Sequence, residues 1–408
     1  MKHTAIGLAL AALVAIPGAA SAQTDTQAQI AETTLSDEKL ARIQHFLNAA
    51  VEESRTGAAI AMIAQGGEIR WIGTAGELRP GEPMRGDAIV PLASIGKMFT
   101  ASAAMILYER GQIDLDDPVS KYIPEFADLR IEASDAAGTA SSTPIQGEVT
   151  IRHLLTHTGG LHVSGNDYWP VFFGHVGQTT TTDFARALAA MPMQSQPGAH
   201  YDYGNTGGHY EVLGAVIEQA SGQTLEQFLD ENLFGPLGME DSYFYLPDEK
   251  LARRPVLYPV SNGEIVAEQA MTQPYPRSTY FFGGGGVEST PADLNRFASM
   301  LHGRGALGET RILQAKTVQL MMQDHLGALS TLGDGWSWGF GGAVRYTDAS
   351  RGTGVPEQYG WSGGGYARLW IDPRRDLTAY VAFPLVAPGN PQLLEEFSQL
   401  VYSQAPSE

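Results

Sequence analysis

The run Ser94-Ile95-Gly96-Lys97 sets a hydroxyl and an amine three residues apart, just after Pro91, at the head of SIGKMFTASAAMILYER. On a helix, residues three apart share a face with Cβ atoms about 5–6 Å apart, so the Ser94 hydroxyl and the Lys97 amine can meet. A serine attacks a carbonyl only if something accepts its proton. An amine stripped of water by its surroundings is biased toward the neutral, accepting form. The bland alternative is a helix-capping serine followed by a solvated lysine. Apolar residues occupy nearly every face of this helix, which predicts burial and weakens that alternative, and Gly111 is placed to end it.

Two further stretches offer complementary chemistry. Tyr201-Asp202-Tyr203-Gly204-Asn205-Thr206-Gly207 follows the turn Gln196-Pro197-Gly198 and precedes a helical pattern. Tyr203 brings a phenol that can relay a proton, and Asn205 an amide that can orient its neighbours. Gly360-Trp361-Ser362-Gly363-Gly364-Gly365 stands immediately before a strand. Its backbone N–H groups, free of side chains, suit an oxyanion site, although a bulged or tightly turning strand has the same composition.

These groups need a scaffold. Ser36 opens a helical pattern to about residue 54, and 58–64 and 69–75 are strand-like runs flanking the hairpin signal Gly66-Gly67. From 91 to about 282 helical segments alternate with long loops. Strand signals return at 336–346, 366–371 and 377–384, and a helix at about 392–402 follows. Strands near both ends with a helical middle predict an α+β fold. The expected arrangement is a discontinuous sheet domain, 36–90 and 285–405, with a mainly helical domain, 91–284, inserted in it.

The chain has 408 residues, 43% hydrophobic and 17% charged, enough to bury a sizeable core. A formal charge of −19 argues against nucleic acid as a partner. Absence of cysteine excludes disulfides, thiol nucleophiles and thiolate metal sites. Residues 1–22 combine Lys2, an apolar run at 5–16, and Ala20-Ser21-Ala22, the pattern of a secretory signal cleaved after Ala22. A polar leader, 23–35, follows. The expected location is a bacterial periplasm or the medium, with no transmembrane segment left after cleavage.

Several motifs mislead. Gly360-Trp361-Ser362-Gly363-Gly364 satisfies the G-x-S-x-G elbow of another hydrolase fold, but that fold needs an acid and then a histidine after the serine, and the last histidine here is His325. His153 and His157, four apart and followed by His162, could share a helical face. They lack the glutamate of H-E-x-x-H, so structural contacts are the expected role and no metal or other cofactor is expected. Thr290-Pro291-x-Asp293 reads as a helix start.

Taken in order, the three stretches resemble the serine β-lactamase and penicillin-binding protein superfamily, with its S-x-x-K and K-T-G motifs. More closely, the chain is similar to the class C-related branch of D,D-peptidases, aminopeptidases and family VIII-type carboxylesterases. IRHLLTHTGGL at 151–161, GGGVESTPADL at 284–294 and RILQAKTVQLMM at 311–322 are similar to recurring segments of that branch. The resemblance implies a β-lactamase/transpeptidase-like fold, with an antiparallel sheet flanked by helices. It implies Ser94 as nucleophile, Lys97 and Tyr203 as proton carriers, and Asn205 orienting Lys97 and substrate. The backbone N–H groups of Ser94 and Gly364 would then form the oxyanion site, with Trp361 and Gly363 beside it. One position departs: Trp361-Ser362-Gly363 lacks the lysine of K-T-G, as in esterase members. The expectation is an exported, cofactor-independent serine hydrolase acting on a small-molecule ester, possibly an amide. The alternatives are a D-amino acid or small-peptide peptidase or amidase, a β-lactamase or D,D-carboxypeptidase, and a silent ligand-binding module on the same scaffold.

Overall fold

The structure, a computed structural model, describes residues 35–134, 140–161, 179–203, 208–273, 276–347 and 355–402. The expected signal and leader up to residue 34, and Asn205 and His162, lie outside the described residues.

One antiparallel sheet organises the chain. Its strands are β1 (Ala58–Gln65), β2 (Glu68–Arg79), β3 (Glu82–Pro83), β4 (Trp336–Trp338), β5 (Ala343–Arg345), β6 (Gln358–Gly363), β7 (Ala367–Asp372) and β8 (Leu377–Ala382). The order is β4-β5-β6-β7-β8-β1-β2-β3, so the first hairpin joins the last strand, with Ile60 opposite Ala382. Gly66 and Gly67 take φ of +64° and +77°, the left-handed pair that a two-residue hairpin turn of this kind requires. Every residue of β7 and β8 is buried, as are the first seven of β1, which is why AAIAMIA reads as an apolar run without alternation.

One expectation about strands is corrected and another refined. The stretch 336–346 is not one strand but the hairpin β4–β5, broken at Gly341, whose φ is +93°. The stretch 360–365 does run into a strand, β7, but its first four residues already belong to β6, and the turn between the two comes at Gly364 and Gly365, with φ of +56° and +72°. Glycine is tolerated inside β6 because neighbouring backbone crowds it. A Cβ on Gly360 would lie 2.0 Å from the Leu369 carbonyl oxygen.

Helix α1 (Asp37–Glu52) begins at Ser36, whose hydroxyl accepts the Lys39 N–H. It packs on β1, β2 and the closing helix, Pro391–Tyr402. Helix α2 (Lys97–Glu109) is buried at every residue from Lys97 to Leu107. Phe99 meets Phe234 and Phe297 edge-on at 5.3 and 4.6 Å. Helix α3 (Ile151–Leu155) and helix α4 (Thr181–Ala189) both pack on α5 (His209–Ser221), which lies against α2. Helix α6 (Pro291–His302) starts at Thr290, which accepts the Asp293 N–H, with Pro291 in the first turn. Among the described residues no helix is long and apolar enough to cross a membrane.

Candidate active site

Ser94 lies in the tight turn Ala93–Gly96 that runs directly into α2. Ala93 has φ +45°, a strained backbone for a residue with a Cβ, and the turn is held on three sides. Leu92 N–H donates to the Val287 carbonyl at 3.0 Å. A Cβ on Gly363 would lie 2.0 Å from the Leu92 carbonyl oxygen, and one on Gly285 would lie 2.8 Å from the carbonyl carbon of Ala93. The end of β6 and the 283–286 loop therefore press backbone to backbone against the turn, an approach only glycine allows.

Lys97 is 9% exposed. Its Nζ lies 3.0 Å from Ser94 Oγ and donates to the Gly284 carbonyl at 2.7 Å. One turn on, Thr100 Oγ1 donates to the Gly283 carbonyl at 2.7 Å. Sequence reasoning missed this role of the 283–286 run. A row of glycines is a signal of close backbone approach, but nothing local names its partner.

Beside the amine stands an aromatic group. Lys97 Nζ is 5.3 Å from the ring centre of Tyr203 and 5.7 Å from that of Tyr210. Trp361 donates its indole N–H to the Tyr203 hydroxyl at 2.7 Å. The single polar atom of the Trp361 side chain is therefore already used within the protein. Trp338 packs edge-on against Trp361 at 4.7 Å, and both it and Tyr210 donate to the Leu155 carbonyl at 3.0 Å. Tyr201, Leu326, Trp338, Ala343 and Trp370 form a buried apolar cluster on which Tyr203 and Trp361, both half-buried, pack.

His157 enters this group unannounced. It is 2% exposed, has φ +54°, and its ring lies 4.9 Å from that of Tyr203. Burial, with the nearby charges of His209 and Lys97 adding to it, holds the imidazole well below its ordinary pKa. The idea that His153 and His157 share a helical face fails because α3 ends at Leu155. His153 Nδ1 instead accepts the Thr150 N–H at 3.1 Å in a capping box. Among the described residues no group of three His, Cys, Asp or Glu side chains could hold a metal ion.

Ser362 points elsewhere. Neighbours along a strand face opposite sides of the sheet, and Ser362 Oγ accepts Arg368 Nε at 2.9 Å. Arg368 also donates to the Leu394 carbonyl, Ser398 Oγ and Glu395 Oε1, so its cation is committed to the Pro391–Tyr402 helix. Arg277 pairs with Glu226 at 2.6 Å. Neither arginine replaces the lysine that Trp361 displaces. Gly364 follows the end of β6, directly after the Gly363 that touches the turn carrying Ser94.

The sheet, the buried helix and a serine–lysine pair at its head define a serine hydrolase of the β-lactamase type. The family model described as Beta-lactamase matches residues 40–394, and the chain belongs to that family. Esterase EstB of Burkholderia gladioli is 30% identical over 368 residues, 82% of this chain and 87% of that protein. Protein Rv1367c of Mycobacterium tuberculosis is 32% identical over 256 residues, 61% of this chain and 63% of that protein. A solved structure described as EstCE1, a hydrolase with promiscuous acyltransferase activity, superposes with TM-score 0.73 at 26% identity, covering 90% of this chain and 99% of that one.

Proposed function

We propose that the protein cleaves esters of small, uncharged acyl groups through an acyl-enzyme on Ser94. The observation that carries this reading is the 3.0 Å approach of Lys97 Nζ to Ser94 Oγ at the head of a buried helix. As Ser94 Oγ bonds to the substrate carbonyl carbon, its proton is accepted by Lys97 Nζ acting as the general base. Collapse of the tetrahedral intermediate breaks the bond to the leaving alcohol, which takes its proton through the Tyr203 hydroxyl. Water then attacks the acyl carbon, giving its proton to Tyr203 and Lys97; the Ser94 Oγ–acyl bond breaks, that proton returns to Ser94 Oγ, and the carboxylic acid leaves. The N–H groups of Ser94 and Gly364 are assigned to the developing oxyanion, and Asn205 to orienting Lys97 and substrate.

The preference for uncharged substrates rests on Trp361. A buried carboxylate without a cationic partner is costly. The arginines considered for that role, Arg368 and Arg277, are engaged elsewhere. The half-buried aromatic wall of Tyr203 and Trp361, continuous with Leu329, Leu332 and Trp336, favours an apolar group instead. A second reading, transfer of the acyl group to an alcohol in place of water, is favoured by the likeness to EstCE1. Residues 1–22 support export, and the N-terminus of protein recovered from the periplasm is expected at Gln23.

Comparing kcat/KM for p-nitrophenyl butyrate, nitrocefin and D-amino acid p-nitroanilides tests the substrate class. Ester turnover far above the other two is expected. Nitrocefin turnover equal to or above that of the ester contradicts the reading.

A further inference from the structure

His157 is an expensive residue for a buried position. Neither ring nitrogen has a hydrogen-bond partner among the described residues, and a buried polar atom left unpaired carries its full desolvation cost. Its backbone is left-handed, a conformation histidine tolerates better than most side chains but still at a cost. If filling space were the whole task, an apolar residue would do it without orphaned nitrogens. Such outliers persist where the surroundings enforce them, and they gather at working sites.

The surroundings here are the proton-carrying groups. The imidazole stands edge-on to Tyr203 at 4.9 Å and 70°, and to Trp338 at 5.1 Å and 76°. It is tilted by 30° against Tyr210 at 5.1 Å. Tyr203 and Tyr210 are the same two rings that Lys97 Nζ faces. Through its main chain, the His157 carbonyl accepts the Asp202 N–H at 3.1 Å, one residue before Tyr203. A single residue thus grips the Tyr203 segment by backbone and by ring.

We propose that His157 is a positioning residue for acyl transfer, its ring wedged among Tyr203, Tyr210 and Trp338 so that the Tyr203 phenol keeps its aim beside Lys97. This rests on the reading of Ser94 as nucleophile. His157 touches no reacting atom and works through Tyr203. Its contribution therefore depends on the Tyr203 hydroxyl being present.

The test is a double-mutant cycle on the full chain, with folding followed by calorimetry. His157→Asn keeps a residue that accepts left-handed backbone but removes the ring. It is expected to lower kcat for p-nitrophenyl butyrate by about tenfold, the equivalent of one well-placed interaction. KM stays within about twofold, and Ser94 labelling by a fluorophosphonate slows in parallel. His157→Phe, which restores a flat ring, recovers most of the rate. On a Tyr203→Phe background the same His157→Asn change has little further effect on the labelling rate. A folded His157→Asn variant with unchanged kcat and only a lower Tm overturns the proposal. So does an undiminished effect on the Tyr203→Phe background, or a folded His157→Phe variant as slow as His157→Asn. If His157→Asn does not fold, His157→Gly carries the same comparison. Failure of the wild-type chain to label at Ser94 contradicts the underlying reading instead, whereas equal labelling of wild type and variant removes this proposal alone.

Discussion

Trp361 donates its indole N–H to the hydroxyl of Tyr203 at 2.7 Å, across 158 residues of sequence. That bond fixes which lone pair of the phenol remains for Lys97 and for the leaving group. It also removes the one polar atom of Trp361 from the substrate's reach, so the indole presents only apolar surface. In the proposed reaction, the tryptophan that stands where the motif has a lysine would do two things: withhold a charge from the substrate and orient Tyr203 as a proton carrier.

Replacing Trp361 by Phe keeps the apolar wall and deletes the donor. A neutral hydrogen bond of this kind is worth about 0.5–1.5 kcal/mol net. Turnover of p-nitrophenyl butyrate by Trp361→Phe is expected to fall roughly threefold to tenfold, in kcat rather than KM. Trp361→Lys is expected not to raise ester turnover at all. Steady-state kinetics on both variants checks this, and a faster Trp361→Lys esterase would be inconsistent with it.

Gly363 is the point at which the sheet meets the turn carrying Ser94. A methyl group there would sit 2.0 Å from the Leu92 carbonyl oxygen and 3.2 Å from Ala93 Cβ. Overpacking at such a site costs about 1–3 kcal/mol, and the shift falls on the strained residue just before Ser94. Gly363→Ala is expected to lower Tm and to slow fluorophosphonate labelling of Ser94 out of proportion to the lost stability. Normal labelling in the folded variant would show that β6 does not hold the turn.

Asp230 gives a pH test away from the site. Partial burial, with the like charge of Glu226 beside it, raises its pKa to about 6. A carboxyl whose folded pKa lies above its unfolded value binds its proton more tightly when folded, so it costs stability at neutral pH. That cost fades as pH falls from about 6 toward the unfolded value near 4. Solvent screening of this half-exposed group reduces the effect to the order of 1 kcal/mol. Asp230→Asn is expected to unfold at a higher temperature than wild type at pH 7.5, the gap closing by about pH 4. Thermal melts across that range measure it; a gap that widens on acidification refutes the sign.

What could be read from the sequence was local. The Gly66-Gly67 hairpin, the Thr290 cap and the all-round apolar helix after Lys97 each follow from a few neighbouring residues, and each appears in the structure. So does the proximity of Ser94 and Lys97, which needs only one helical turn. The rest was hidden by distance along the chain. Gly284, whose carbonyl holds the Lys97 amine, is 187 residues away, and a row of glycines names no partner. His157 was masked by a false period: the four-residue spacing from His153 suggests one helix face, but the helix stops at Leu155 and the chain turns left-handed. The 336–346 run is rich in β-forming residues at both ends, and the glycines at its middle, Gly339, Gly341 and Gly342, are where it folds back on itself.

The central claim is that the acyl group travels on Ser94 and not on Ser362, which lies on the other side of the sheet bonded to Arg368. Peptide mass mapping of the chain, quenched with acid during turnover of p-nitrophenyl butyrate, reads this directly. The butyryl group is expected on the peptide containing Ser94. It should be absent from Ser94→Ala, which loses several decades of activity, and retained in Ser362→Ala, which keeps most of its activity. A butyryl group on Ser362, or full turnover by Ser94→Ala, would contradict the account.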